Sequence, residues 1–110
     1  MTDKRKETRT AVTHSVTVLN DENGEELGTL VNISPRGIGV RGEKEFYEGE
    51  DFEMMLVLER AIFGLKRILV DTECVWSSPE EGTPFFQSGF KFTHVSAGDA
   101  NLILGFIMDQ

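Results

Sequence analysis

The chain has 110 residues, 39% apolar and 27% charged, enough for one domain with a single core. Its net charge of −8 is unevenly spread. Residues 1–9 hold Lys4, Arg5, Lys6 and Arg9 against Asp3 and Glu7, a local +2 that leaves −10 on the rest. So acidic a body repels long phosphate backbones and anionic lipid, which argues against DNA, RNA and membrane partners.

The single cysteine, Cys74, excludes an internal disulfide framework and fits a reducing compartment. The longest apolar stretch, Leu102 to Met108, is far short of the roughly 20 residues of a membrane span. The N-terminus has no leader pattern, so the expected location is cytoplasmic.

In chain order, residues 1–10 read as a flexible basic arm and 11–110 as one domain. Residues 11–19 alternate Val12, Val16 and Val18 with Thr13, Ser15 and Thr17, the signature of a half-buried strand. Asn23-Gly24 marks a turn, after which Leu27 to Ile33 returns antiparallel. Ser34-Pro35-Arg36-Gly37 breaks the pattern before Ile38 and Val40 resume it. A polar connection closed by Gly49 leads into a strand with Phe52, Met54, Leu56 and Leu58 on one face. Met55 and Val57 on its other face suggest partial cover there too. Residues 67–76 place Ile68, Val70, Cys74 and Trp76 on one side of a further strand. A loop at Pro79 to Pro84 precedes the last strand, Phe86 to Phe92.

Helical periodicity begins only at Ser96, which with Asp99 resembles a capping box. Leu102, Ile103, Phe106 and Ile107 then share one stripe of a helix over about 96–109. The expected fold is mainly β: a small six-stranded antiparallel barrel with a C-terminal helix.

Enzymatic chemistry finds little support. Gly37-Ile-Gly39-Val-Arg-Gly42 matches a dinucleotide-binding turn in its glycines alone, because no helical stripe follows to receive a pyrophosphate. His14 and His94 are too few for a metal site. Cys74 sits mid-strand, where a buried thiol is ordinary. No catalytic residue, metal or cofactor is expected.

Two motifs are informative together: Arg5-Lys-Glu-Thr-Arg9 before the first strand, and Asn32-Ile-Ser34-Pro-Arg-Gly37 at the end of the second. Here the sequence resembles the PilZ domain, a bacterial receptor for cyclic di-GMP. That family carries Arg-x-x-x-Arg followed by Asp/Asn-x-Ser-x-x-Gly. Cys-Val-Trp at 74–76 and Gly89-Phe-Lys-Phe92 are similar to two further strands of the family, and the terminal helix follows as it does there.

The resemblance implies a non-enzymatic receptor or adaptor that binds cyclic di-GMP through Arg5, Arg9, Asn32, Ser34 and Gly37, with Lys4 and Arg36 as accessories. It also implies an arm that closes over the ligand and a downstream protein effector that recognises the closed state. The alternative is a PilZ-like protein-interaction module that does not bind nucleotide. The chemistry suits the ligand. An arginine fork can pair with guanine O6 and N7, grip a phosphodiester or stack on a purine. A short amide and a hydroxyl reach base or phosphate without filling the site. Gly37 would let the backbone turn with a positive φ or come close to the ligand.

Overall fold

The computed structural model describes residues 9–110. The chain runs through β1 (Thr10–Ala11), β2 (Val16–Asn20), β3 (Glu26–Ser34), β4 (Gly37–Gly42), β5 (Asp51–Ile62), β6 (Leu65–Pro79) and β7 (Phe86–His94), then α1 (Ala97–Met108). Every pairing is antiparallel, in the order β3-β2-β5-β6-β7-β4, and β4 returns to β3. The result is the expected six-stranded barrel with its C-terminal helix. β1 is a seventh, short strand outside the closure, with Thr10 opposite Ile33 and Ala11 opposite Asn32.

The single strand expected over residues 11–19 is split. Between β1 and β2 two backbone N–H groups leave the ladder and donate to side chains: Thr13 N to Gln110 Oε1 at 2.8 Å, Ser15 N to Glu59 Oε1 at 3.2 Å. Side-chain acceptors from distant parts of the chain take these donors in place of strand partners.

Alternation along each strand fills the barrel. Val16, Val18, Ile33, Ile38, Leu56, Ile68 and Phe90 are all at most 1% exposed. Leu102, Ile103 and Phe106 bring the helix stripe into the same cluster. Ser96 starts that helix: its Oγ accepts from Asp99 N at 3.1 Å and donates to Asp99 Oδ2 at 2.8 Å. Phe46, in the connection read as polar, is buried instead. Its ring meets Phe52 and Phe90 edge-to-face, with centroids 5.3 and 5.2 Å away.

At the far end of β4, Arg41 grips Glu80 through Nε to Oε1 (2.8 Å) and Nη2 to Oε2 (3.0 Å), and Gln87 Nε2 donates to the same carboxylate at 3.1 Å. The Arg41 bonds, then the Gln87 bond, hold the Glu80 carboxyl down from its ordinary 4.5 to about 2. A depressed folded-state pKa stabilises above the unfolded value, and that contribution is lost as pH falls through the folded one. Glu80→Gln should therefore flatten the acid-side loss of stability between about pH 4.5 and 2 in urea titrations. Parallel wild-type and variant curves across that window would contradict this.

Candidate functional site

The second motif spans the β3–β4 turn. Its serine is fully buried, and Ser34 Oγ accepts from Arg36 N at 3.2 Å, holding the turn. Gly37 does not have a positive φ. Its need for glycine is close approach: a Cβ there would strike the carbonyl oxygen of Phe90 on the neighbouring β7. Arg36 is exposed, and its carbonyl accepts from Phe92 N at 2.8 Å.

Asn32 is half-buried on the outer face. Its Oδ1 accepts from Arg9 Nη1 at 3.2 Å, so the fold brings a residue of each motif into contact across 23 positions of sequence. Lys4 and Arg5 lie outside the described residues.

A row of register partners crosses the barrel surface from this point: Asn32 opposite Gly39, Gly39 opposite Gly89, Gly89 opposite Trp76. The two glycines clear the middle of the row. A Cβ on Gly39 would come within 2.8 Å of the Asn32 amide, and one on Gly89 would collide with the indole of Trp76. Amide and indole thus lie over neighbouring glycines, about 5 Å apart in strand spacing.

Trp76 is 47% exposed, not turned inward with Cys74 as the alternation along residues 67–76 suggests. The cause is a bulge. Cys74 pairs with Phe90 but Trp76 with Gly89, so Val75 is an extra residue and the face switches. Sequence reasoning passed over Trp76, Gly39 and Gly89 as site residues. Glycines in mid-strand were the available signal, since they mark places where something lies close over the backbone.

The surface so built has an aromatic ring, an amide with its guanidinium partner, and the cations of Arg36 and Lys91 nearby. Lys91 is opposite Gly37 and 3.6 Å from Glu73. Purine stacking and recognition of a base edge or phosphate are what such groups do.

Other chemistry is poorly served. Among the described residues no group of three or more His, Cys, Asp or Glu is arranged to hold a metal ion. Cys74 is buried, burial pushes its thiol pKa up, and the thiol donates to the Trp76 carbonyl at 3.4 Å. Residues Gly37–Gly42 form a strand, not a dinucleotide-binding turn. No helix of the described residues is long and apolar enough to cross a membrane.

The PilZ domain family pattern matches residues 3–109. The chain belongs to the PilZ domain family. Among solved structures, this PilZ domain is similar to that of YcgR from Escherichia coli, determined with c-di-GMP (TM-score 0.73, 15% identity, 97% of this chain and 91% of that one). MrkH from K. pneumonia, in its c-di-GMP complex, gives a TM-score of 0.75 at 16% identity over 99% of this chain and 53% of that one. The Bacillus subtilis inhibitor of motility MotI (DgrA) gives 0.69 at 18% identity, over 98% and 51%. At these identities the likeness is one of fold. This PilZ chain spans about half the length of the MotI and MrkH chains. Among curated proteins none matches its sequence.

Proposed function

We propose that this PilZ domain is a non-enzymatic receptor for cyclic di-GMP that passes the bound state to a protein effector. The observation that carries the reading is the contact of Arg9 with Asn32 at one end of the glycine-cleared row that ends in Trp76. In this reading one guanine stacks on the indole. Arg9, with Arg5 four residues upstream, supplies forked donors to guanine O6 and N7 or to the two phosphodiesters. Asn32 contributes its amide at the base edge. Ser34 and Gly37 act on the turn: one braces it, the other lets β4 lie close to β7.

Part of the signal is that ligand fixes the arm. Residues 2–9 contain no apolar side chain, so charge and hydrogen bonds to a bound nucleotide are what would hold them in one place. Hydrogen exchange in residues 2–9 should slow when cyclic di-GMP is added, and identical exchange with and without it removes this part of the proposal.

Titration calorimetry tests the whole. Cyclic di-GMP should bind saturably, and cyclic di-AMP should bind at least about tenfold more weakly. Replacing the O6 acceptor with an amino group leaves donors unpaired at about 1–3 kcal/mol each. Equal affinities would reduce the site to phosphate attraction. No heat from either nucleotide would favour the interaction-module alternative.

Trp76→Ala should weaken cyclic di-GMP binding by roughly tenfold, the lower part of the range for one stacked base. It should leave the melting temperature nearly unchanged, because the ring lies outside the barrel. Unaltered affinity in the variant would remove the indole from the site.

A further inference from the structure

The hairpin between β5 and β6 ends in Phe63, the one non-glycine residue with positive φ (52°) among the described residues. A bulky aromatic there is strained, and glycine would fit freely. The ring gains little cover in return: it is 76% exposed and rests by one edge on Gly105 of α1. The fold therefore does not account for Phe63.

Its surroundings are equally unusual. Leu65 (54% exposed), paired with Ile62, and Met108 (85%), in the same cleft as Phe63, stand on this end of the molecule. Between hairpin tip and helix lies a cleft of about 320 Å³, lined by Ala61, Ile62, Phe63, Gly105, Met108 and Asp109. Asp109, the one carboxylate in that lining, faces His14 at 3.9 Å.

Charge along the hairpin tip is opposite to that of the chain as a whole. Arg60–Arg67 contains three basic residues and no acidic one, so the remainder of a chain totalling −8 carries −11. Lys66 and Arg67 are exposed, and Arg60 Nη1 lies 2.8 Å from His14 Nε2.

We infer that the β5–β6 hairpin tip and the last turn of α1 form a docking face for a protein segment that carries acidic residues beside a large apolar side chain. Phe63, Leu65 and Met108 take the apolar group, while Arg60, Lys66 and Arg67 pair with its carboxylates. A second copy of the chain suits the face poorly, since apposing two hairpin tips places three cations against three. An anionic membrane suits it poorly too: three cations attract it at about 1 kcal/mol each, while a surface that broad also meets the acidic remainder, which a short segment at the tip does not. The face stands apart from the nucleotide reading and is tested without nucleotide.

The test is selection of a displayed random-peptide library on the full chain, with counter-selection on Phe63→Gly and on the double variant Lys66→Glu, Arg67→Glu. Phe63→Gly should melt no lower than wild type, so lost binding there reports the ring and not unfolding. The expected result is enrichment of peptides with Asp or Glu flanking a large apolar residue, each binding about tenfold or more weakly to both variants. Amide shifts caused by the best peptide should be confined to Arg60–Arg67 and Leu104–Gln110. Basic or uncharged winners, winners that bind the variants equally, shifts elsewhere, or no enrichment would each overturn the proposal. So would failed enrichment together with co-sedimentation on phosphatidylglycerol vesicles, or with a dimer in sedimentation.

Discussion

Replacing Arg5 and Arg9 together by alanine is expected to weaken cyclic di-GMP binding by about a hundredfold or more while leaving thermal stability unchanged. Hydrogen bonds to charged groups contribute about 1.5–3 kcal/mol each, and two arginines would remove at least two such contacts. Stability is spared because Arg9 is exposed and its described hydrogen bond is to Asn32 on the outer surface. Arg9→Lys should recover little, since an ammonium has no planar fork to present to a base edge or phosphodiester. Calorimetry on the double variant reads this directly, and wild-type affinity there would sink the assignment of both motifs.

Phe90→Ala should have the opposite profile. Its ring is fully buried, is in edge-to-face contact with Phe46, and sits on β7 between Ile38 of β4 and Cys74 of β6. Truncating a buried phenylalanine costs about 3–5 kcal/mol, a large share of the roughly 5–15 kcal/mol that holds a domain together. Urea titration should show that loss. A change under about 1 kcal/mol would mean that Phe90 and its ring contacts do not hold the core as argued.

Sequence patterning already carried much of this architecture. The alternation of Val16 and Val18, of Met54, Leu56 and Leu58, and of Ile68 and Val70 matches the buried face of each strand. The stripe Leu102, Ile103, Phe106 matches the buried face of the helix. These are period-2 and period-3.6 signals, set by local geometry and readable locally.

What escaped depends on contacts between distant residues. Period-2 reasoning assigns Trp76 to the inside because it cannot see a bulge at Val75, which exists only through pairing with β7. The strand over residues 11–19 is interrupted because Gln110 and Glu59, 97 and 44 residues away, take N–H groups from it. Phe46 stands with Tyr47 among charges and shows its burial only through Phe52 and Phe90.

The candidate site divides in the same way. Both motifs were legible as residue types at fixed spacing, but the purpose of the glycines was not. Gly37 lacks the positive φ one might assign it and is shaped by the Phe90 carbonyl on another strand. Gly39 and Gly89 acquire meaning only when register sets Asn32 and Trp76 above them.

Trp76 is the chain's sole tryptophan, so its fluorescence reports on the proposed stacking position alone. Titrating cyclic di-GMP into the protein at low micromolar concentration while following that emission is the most direct test of the central claim. Saturable quenching by cyclic di-GMP, absent in the Arg5→Ala, Arg9→Ala variant, is the expected result. Emission that stays unchanged while calorimetry records binding would place the nucleotide elsewhere on the barrel, and emission unchanged with no binding at all would contradict the receptor reading outright.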